Sequence, residues 1–403
     1  MSKTFVRGLL VAIAAAGLLN PTGVLAAGPA PVRIDAILSL TGAGSFLGVD
    51  ELRTLDIIAR IVNARGGVHG HRLEFHALDD QSTPQVAVQL AGELIAKNAP
   101  IVLGPTIPQT CAALLPLIEK NGPVMFCLNP AIHPSPGGYG FSSGEDSKDG
   151  AIVVLRYLRG NGVKRVATLM ATDGSGQDMD RSLEYALALP EFNGMQLVAK
   201  EHFAPADISV SAQLARIKTS APQALLSWCA GTPLGTVLRG ASEAGIAIPI
   251  VTTGGNMNRV QMEQYAAFLP QQMLFTSQIA WIPGTVGPGP IRDAQRLYTN
   301  AIERAGFKPD AGYTLIWDPA FLMIDALDKL GVDADAAAIR TYLTQVRGWI
   351  GIDGVYDFVG FPQRGLDASS GQVSAWDPLK RDFVAVSKRA GYRLSSGNLI
   401  PPK

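Results

Sequence analysis

Short apolar runs of strand length alternate with segments of helical period along most of this 403-residue sequence. The strand candidates are residues 33–40, 72–78, 100–103, 124–128, 165–170, 196–201, 224–227, 249–252 and 273–276, with two short runs at 355–359 and 383–386. Helices are predicted at 52–62, 84–97, 109–121, 148–159, 175–187, 208–219, 232–244, 258–267, 291–305 and 313–330. Such alternation is typical of parallel sheets covered by helices, so we predict an α/β fold.

Charge and composition exclude several classes of protein. Lys and Arg total 34, and so do Asp and Glu, which leaves no basic excess for neutralising nucleic acid phosphates. Apolar residues make up 47% of the chain, enough for globular cores. The length predicts two or three domains. Disordered and collagen-like chains and disulfide scaffolds are excluded by the same composition.

The first 26 residues have the pattern of an export signal. Lys3 and Arg7 precede an apolar stretch of about a dozen residues, which is shorter than the roughly 20 that a membrane-spanning helix needs. Small residues up to Ala26 suit cleavage after that position, and no cysteine nearby offers a lipid anchor. We therefore expect an exported, periplasmic protein with a signal peptide at 1–26.

Three cysteines, Cys111, Cys127 and Cys229, lack the spacing of a zinc or C-x-x-C site. Three buried apolar thiols are the simpler interpretation, while an oxidising compartment would permit one disulfide bond between Cys111 and Cys127. The pairing therefore stays open at this stage.

Patterns that would indicate catalysis or metal binding are incomplete. Gly42 and Gly44 follow the first strand as in a dinucleotide fingerprint, but Leu47 stands where the third glycine belongs. The turn 174–176 lacks the frame of a nucleophile elbow, and no late histidine is placed as a base. A cluster of histidines has no recognisable further ligand; its members are His69, His71 and His76. We expect neither an enzyme nor a cofactor or metal, and a secreted α/β enzyme remains an alternative.

Two strand ends offer polar turns where open α/β sheets place their ligands. Residues 104–110 join a buried strand to a helix, and the backbone N–H groups of such a helix start suit a carboxylate. The next strand ends at residues 128–131, beside the first turn. Together they indicate a cleft that can bind an anion.

A series of motifs in fixed order resembles the leucine/isoleucine/valine-binding type of periplasmic solute-binding protein. The motifs are residues 39–42, Gly48, residues 63–70, Asp79 with Asp80, Pro84, residues 104–105 and 122–130, Asp146 within 144–147, and residues 354–358. The resemblance covers nearly all of the chain after the export signal.

The resemblance implies a type I periplasmic binding protein, with two Rossmann-like lobes of parallel-rich sheets joined by a three-crossover hinge. Lobe 1 would comprise residues 27–146 plus 277–350, and lobe 2 residues 147–276 plus 351–403. Ligand would be enclosed at the hinge and delivered to an ABC permease in the inner membrane. A monomer is expected. A sensor that reports ligand to a signalling partner would share the same pocket and remains an alternative.

Ligand contacts carried over from the family fall on residues with different chemistry. The family's carboxylate-binding Ser falls on Pro108, which has no N–H, and its Thr on Ala131. The acidic residue that receives an ammonium falls on Gly254. The candidate ligand-binding residues are therefore Phe46, Leu47, Thr106, Pro108, Gln109, Asn129, Pro130, Ala131, Ser175, Ala230, Gly254, Asn256 and Trp281.

These departures predict a ligand without a charged amino group, because a desolvated ammonium without a carboxylate partner costs several kcal/mol. We expect a larger uncharged or anionic organic ligand, such as an aromatic carboxylate, held by Gln109, Asn129, Ser175, Asn256 and backbone N–H groups. A branched-chain amino acid or amide is the alternative. A shift of one residue at Gly254 would bring another acid into the site; the candidates are Glu201, Asp207 and Glu243. Trp228 and Trp317 are expected in the core, and Trp281 beside the cleft.

Overall fold

The structure is a computed structural model that describes residues 29–229, 231–282 and 284–394. The predicted signal peptide lies outside these residues. The first sheet has five parallel strands in the order β2-β1-β3-β4-β5. Its strands are β1 (Val32–Leu38), β2 (Leu73–Asp79), β3 (Ile101–Leu103), β4 (Val124–Cys127) and β5 (Gly140–Ser142).

The second sheet has seven strands in the order β14-β13-β10-β9-β8-β6-β7. Five of them run parallel: β6 (Arg165–Ala171), β7 (Gln196–Phe203), β8 (Ala224–Trp228), β9 (Ile250–Thr252) and β10 (Met273–Gln278). Two late strands, β13 (Gly371–Asp377) and β14 (Asp382–Ala385), pair antiparallel beside β10. A separate hairpin joins β11 (Arg347–Ile350) and β12 (Val355–Asp357). The prediction of an α/β fold with parallel-rich sheets is confirmed.

Helices connect the strands and cover the sheets. They are α1 (Ser45–Ala64), α2 (Pro84–Ala96), α3 (Pro108–Ile118), α4 (Ser147–Gly160), α5 (Gly174–Leu187), α6 (Ser211–Thr219), α7 (Pro233–Glu243), α8 (Arg259–Gln264), α9 (Pro290–Arg304), α10 (Ala311–Thr314), α11 (Trp317–Leu330) and α12 (Ala336–Leu343). Their starts follow local rules, since Asp146 and Asp173 cap α4 and α5, and proline opens α2 and α3. None of these helices is long and apolar enough to cross a lipid bilayer.

Cys111 and Cys127 form a disulfide bond between α3 and β4, with Cα atoms 6.0 Å apart. Cys229 is a buried free thiol. Of the two interpretations that the sequence allows, the structure has the disulfide bond between Cys111 and Cys127. Because α3 and β4 both border the cleft described below, the bond fixes one of its walls.

Three chain segments pass between the two sheets and contact one another. The buried guanidinium of Arg364 donates to the carbonyl oxygens of residues 143–145 in the first segment and of Pro130 and Ile132. In the second segment, the amide of Ile279 donates to the carbonyl of Ser370 in the third. The segments thus form one hinge region.

Residues 355–366 lie against the first sheet. Phe358 packs edge-on against Phe126 and Phe141, and the amide of Ser142 donates to the carbonyl of Gln363. We therefore propose that the second lobe resumes near Asp367 rather than at residue 351. The remaining boundaries of our proposed division are unchanged.

Candidate functional site

A cavity of about 400 Å³ lies between the two sheets, at the carboxyl ends of their parallel strands. Helix starts from both lobes surround it, because each parallel strand feeds a helix at this edge. Ten of the candidate residues line it: Phe46, Leu47, Pro108, Gln109, Asn129, Pro130, Ala131, Ser175, Gly254 and Trp281. Most of the residues that the strand ends and the family pattern single out therefore border one cavity, and their contact with a ligand stays a prediction.

The wall from the first lobe ends in an uncapped helix. Ile107 precedes α3, and no side chain caps the helix start. Pro108 lacks an N–H, so Gln109 and Thr110 carry the free donors of this first turn. Asn129 forms a local turn in which its Oδ1 accepts from the amide of Ala131 at 2.9 Å. This wall offers N–H groups and the positive end of a helix dipole to an anion.

The wall from the second lobe is less free to bind. Asp173 caps α5, and its Oδ1 accepts from the amides of Ser175 and Gly176 and from the Ser175 hydroxyl, each at 3.0 Å. The Ser175 hydroxyl is therefore already engaged. The rest of this wall mixes apolar groups, including Met179 and Trp228, with the polar side chains of Thr232, Thr253, Thr276 and Gln278. Trp228, expected in the core, is 94% buried but also borders the cavity.

Gly254 and Trp281 are complementary in shape. A Cβ atom built on Gly254 would lie 2.1 Å from Cζ3 of Trp281 and 2.3 Å from the carbonyl oxygen of Thr276. The indole ring thus occupies the space that any side chain at position 254 would need. Because the family's acidic residue falls on Gly254, the tryptophan and the acidic side chain exclude each other. The position of Trp281 is therefore a physical reason why this chain has glycine where the family has an acidic residue.

Three carboxylates line the cavity that the carried-over contacts did not include, namely Glu145, Asp146 and Asp173. Burial raises the pKa of Glu145 to about 7. Burial also opposes ionisation of Asp146, but the hydrogen bond from His133 and the charge of Arg364 outweigh it and lower its pKa to about 2. Among the described residues that line the cavity there is no Lys or Arg. The family motif at residues 144–147 is the sequence feature from which Glu145 and Asp146 could have been predicted to lie at the site.

A shift of one residue in the family alignment at Gly254 could have brought other carboxylates into the site, but those residues lie away from the cavity. Glu201 pairs with Arg216 on the outer surface of the second lobe. Neither Asp207 nor Glu243 is among the cavity-lining residues that the structure describes.

Two candidate residues lie next to the cavity but point into the scaffold. The buried hydroxyl of Thr106 accepts from the amide of Ser39 and donates to Glu51 at 2.5 Å. The buried amide of Asn256 accepts from the amide of Gly231 and donates to the carbonyl of Cys229. These satisfied buried partners favour a supporting role for both residues, and their contact with a ligand stays a prediction. Ala230 lies outside the described residues.

The histidines grouped in the sequence have separate partners. His69 contacts the carbonyl of Asp328, His71 that of Ala30, and His76 the carboxylate of Asp35. A wider hollow of about 840 Å³ lies outside the first lobe between α1, α9 and α11. The residues that line it all belong to the first lobe, and none comes from the second sheet.

Comparisons with known proteins agree with this architecture. A sequence pattern for the family described as periplasmic binding protein matches residues 31–366. The Leu/Ile/Val-binding protein BraC3 of Rhizobium johnstonii is 22% identical over 222 residues. That match spans 54% of this chain and only 57% of the relative's length.

Solved structures share the fold over almost the whole chain. An extracellular ligand-binding receptor from Rhodopseudomonas palustris HaA2 superposes with a TM-score of 0.78 at 20% identity, covering 89% of this chain and 100% of the other. A solute-binding protein of an ABC transporter from R. palustris, in complex with benzoate, gives a TM-score of 0.72 at 15% identity, covering 92% and 100%. At these identities the likeness establishes the fold.

Proposed function

Because the chain belongs to the periplasmic binding protein family, we propose that it is an extracytoplasmic solute-binding protein that delivers a small organic ligand to an ABC permease. The observation that carries this proposal is the cavity of about 400 Å³ at the carboxyl ends of the parallel strands of two sheets joined by three crossing segments. A site built from both lobes lets one ligand hold them together. We expect the protein to act in the periplasm as a monomer, without catalysis and without a cofactor.

Closure of the lobes would be the functional step. The crossing segments contact one another through Arg364 and Ile279, so the hinge is a compact unit about which the lobes can rotate. A ligand stabilises the closed form only by binding it more tightly than the open form. The closed surface would then be what the permease recognises.

The proposed ligand is an aromatic or other organic carboxylate. Apolar side chains cover much of the cavity, among them Phe46, Met179 and Trp281. The uncapped start of α3 supplies N–H donors for a carboxylate. A volume of about 400 Å³ is at the small end of ligand pockets and suits a ligand of about one ring. A relative in fold binds benzoate.

A branched-chain amino acid or amide is the second candidate, favoured by the carboxylates in the cavity and by the name of the relative BraC3. Asp173 is already bonded to the start of α5, and Asp146 to His133 and the amide of Lys148. Burial raises the pKa of Glu145 to about 7, which disfavours its charged form near neutrality. These groups are therefore weaker ammonium partners than an unengaged carboxylate, which supports the first candidate.

A ligand panel tests both candidates. The chain from Ala27 onward is mixed with benzoate and other aromatic acids, aliphatic acids, leucine, valine and amides, and its thermal midpoint is measured. A ligand at about 100 times its dissociation constant adds about 2.7 kcal/mol of stability. Shifts with aromatic or aliphatic acids alone support the carboxylate proposal. Shifts with leucine or valine alone refute it and support the second candidate.

Two matched variants locate the site. Trp281→Phe changes a cavity residue, whereas Trp376→Phe changes a buried tryptophan of β13 that packs on Phe383 away from the cavity. We expect the first to weaken binding at least about tenfold, or about 1.4 kcal/mol, and the second to leave affinity unchanged. Equal effects would contradict the placement of the ligand. Ligand uptake by cells with and without the protein then separates transport from sensing.

A further inference from the structure

His133 connects the two lobes directly at the rim of the cleft. It follows β4 in the first lobe, and its Nδ1 lies 3.0 Å from Oδ2 of Asp146 while its Nε2 lies 2.9 Å from Oδ1 of Asp178. Asp146 ends the first crossing segment, just before α4, whereas Asp178 lies on α5 in the layer of the second sheet. The imidazole therefore spans the opening between the lobes.

The geometry fixes the protonation state of this bridge. A neutral imidazole has a single N–H, so one of its nitrogens would face a carboxylate with a lone pair. Only the imidazolium donates to both carboxylates. Hydrogen bonds to Asp146 and Asp178 accordingly raise the pKa of His133 to about 9, although burial opposes this.

Two further charged groups, both arginines, contact the carboxylates of the bridge. Arg364 Nε lies 3.7 Å from Asp146 Oδ2, and Arg181 Nη2 lies 3.1 Å from Asp178 Oδ1. Each arginine contacts a carboxylate on its own side and leaves the imidazole as the group between them. The cluster therefore alternates positive and negative charges across the cleft.

We propose that His133 acts as a protonated latch between the lobes, so that lobe closure, and with it ligand affinity, depends on pH. The inference rests on the proposed hinge closure. Opening takes Asp178 away from His133 and leaves Asp146 alone, which lowers the imidazole's proton affinity in the open form. Closure therefore takes up protons. The latch is complete at low pH and is lost as pH rises through the closed-form pKa of about 9.

The expected effect is moderate because the His133 side chain is 39% exposed, and solvent screens both ion pairs. We expect ligand affinity to fall roughly tenfold between pH 7 and pH 9.5. His133→Gln should bind like the protein at high pH and lose most of this dependence.

Histidine NMR tests the latch without any ligand. In the whole protein, we expect His133 to titrate above pH 8 and Asp178→Asn to lower that midpoint by about one unit or more. A His133 midpoint near the ordinary histidine value would overturn the proposal. Asp178 is buried, so if Asp178→Asn fails to fold, the midpoint of the unaltered protein still decides.

Small-angle scattering measures closure itself. The radius of gyration of the unaltered protein should rise between pH 7.5 and 9.5, and that of His133→Gln should stay at the high-pH value. His202→Gln is the matched control, because His202 pairs with Asp180 at 2.5 Å within the second lobe alone. It should keep the pH response. Identical profiles for all three proteins would overturn the proposal.

Ligand binding separates failure of the latch from failure of the proposed function. Benzoate and leucine are titrated at pH 7 and 9.5 with the unaltered protein and His133→Gln. Binding without pH dependence would refute the proposed latch and leave the proposed solute-binding role intact. A panel in which no solute binds would count against the proposed function, while NMR and scattering would still decide on the latch.

Discussion

Replacing Gly254 with alanine should destabilise the protein and disturb its cavity. The new Cβ would lie 2.1 Å from Trp281 Cζ3, about 1.3 Å short of the 3.4 Å at which ordinary contact begins. The indole could rotate away, but the Thr276 carbonyl at 2.3 Å belongs to β10, an interior strand of the second sheet. Overpacking of this kind costs about 1–3 kcal/mol, and contact with sheet backbone puts this case in the upper half.

Gly255→Ala is the matched control, because a Cβ there would meet only the Thr253 hydroxyl at 3.7 Å. Both glycines line the same cavity in one short helical turn. Urea unfolding should show a loss of about 2 kcal/mol for Gly254→Ala and a change within about 0.5 kcal/mol for Gly255→Ala. Ligand affinity should fall only for the first. If the two variants are equally stable, the account of Trp281 filling the space above Gly254 is refuted.

Three further predictions concern stability. Replacing Cys111 and Cys127 with alanine opens a loop with a sequence separation of 16, so unfolding free energy should fall by about 3 kcal/mol in urea titration; no loss would contradict a formed disulfide. Arg364→Met leaves five carbonyl oxygens without their donor, so the free energy of unfolding should fall by at least about 3 kcal/mol in the same assay. An unchanged free energy of unfolding would contradict the hinge contact. Burial raises the folded pKa of Glu51 from 4.5 to about 8, so its stability contribution is present below pH 4.5 and lost as pH rises through 8. Glu51→Gln should therefore be more stable than the unaltered protein at pH 9 by about 1 kcal/mol or more, and profiles that stay parallel from pH 5 to 9 would refute this.

The sequence was sufficient for features that follow from periodicity and strand direction. Gln109 and Asn129 could be placed in one cleft because parallel strands bring their carboxyl ends to one edge of the sheet. The same reasoning located the starts of α3 and α5. Strands of near-continuous apolar residues, such as β6 and β8, were found within one or two residues.

The sequence does not predict whether a side chain at a strand end points into the cavity or into the scaffold. Thr106 and Asn256 stand beside the cavity, yet their buried partners lie on the scaffold side, and a strand-end residue can face either way. Glu145 enters the cavity from a crossing segment whose path depends on tertiary packing. The strands β5 and β13 were missed because the first has three residues and the second mixes polar and apolar positions without helices around it.

The antiparallel pairing of β13 with β10 has a consequence for how the chain acquires its structure. All six residues of β10 are buried, and without residues 371–385 its outer edge would expose unpaired N–H and C=O groups. A chain that stops near residue 366, or one whose last strands have not yet been synthesised, would expose this unpaired edge to other chains. Aggregation of such truncated chains, and a need for chaperone cover until the last strands emerge, follow from that late pairing.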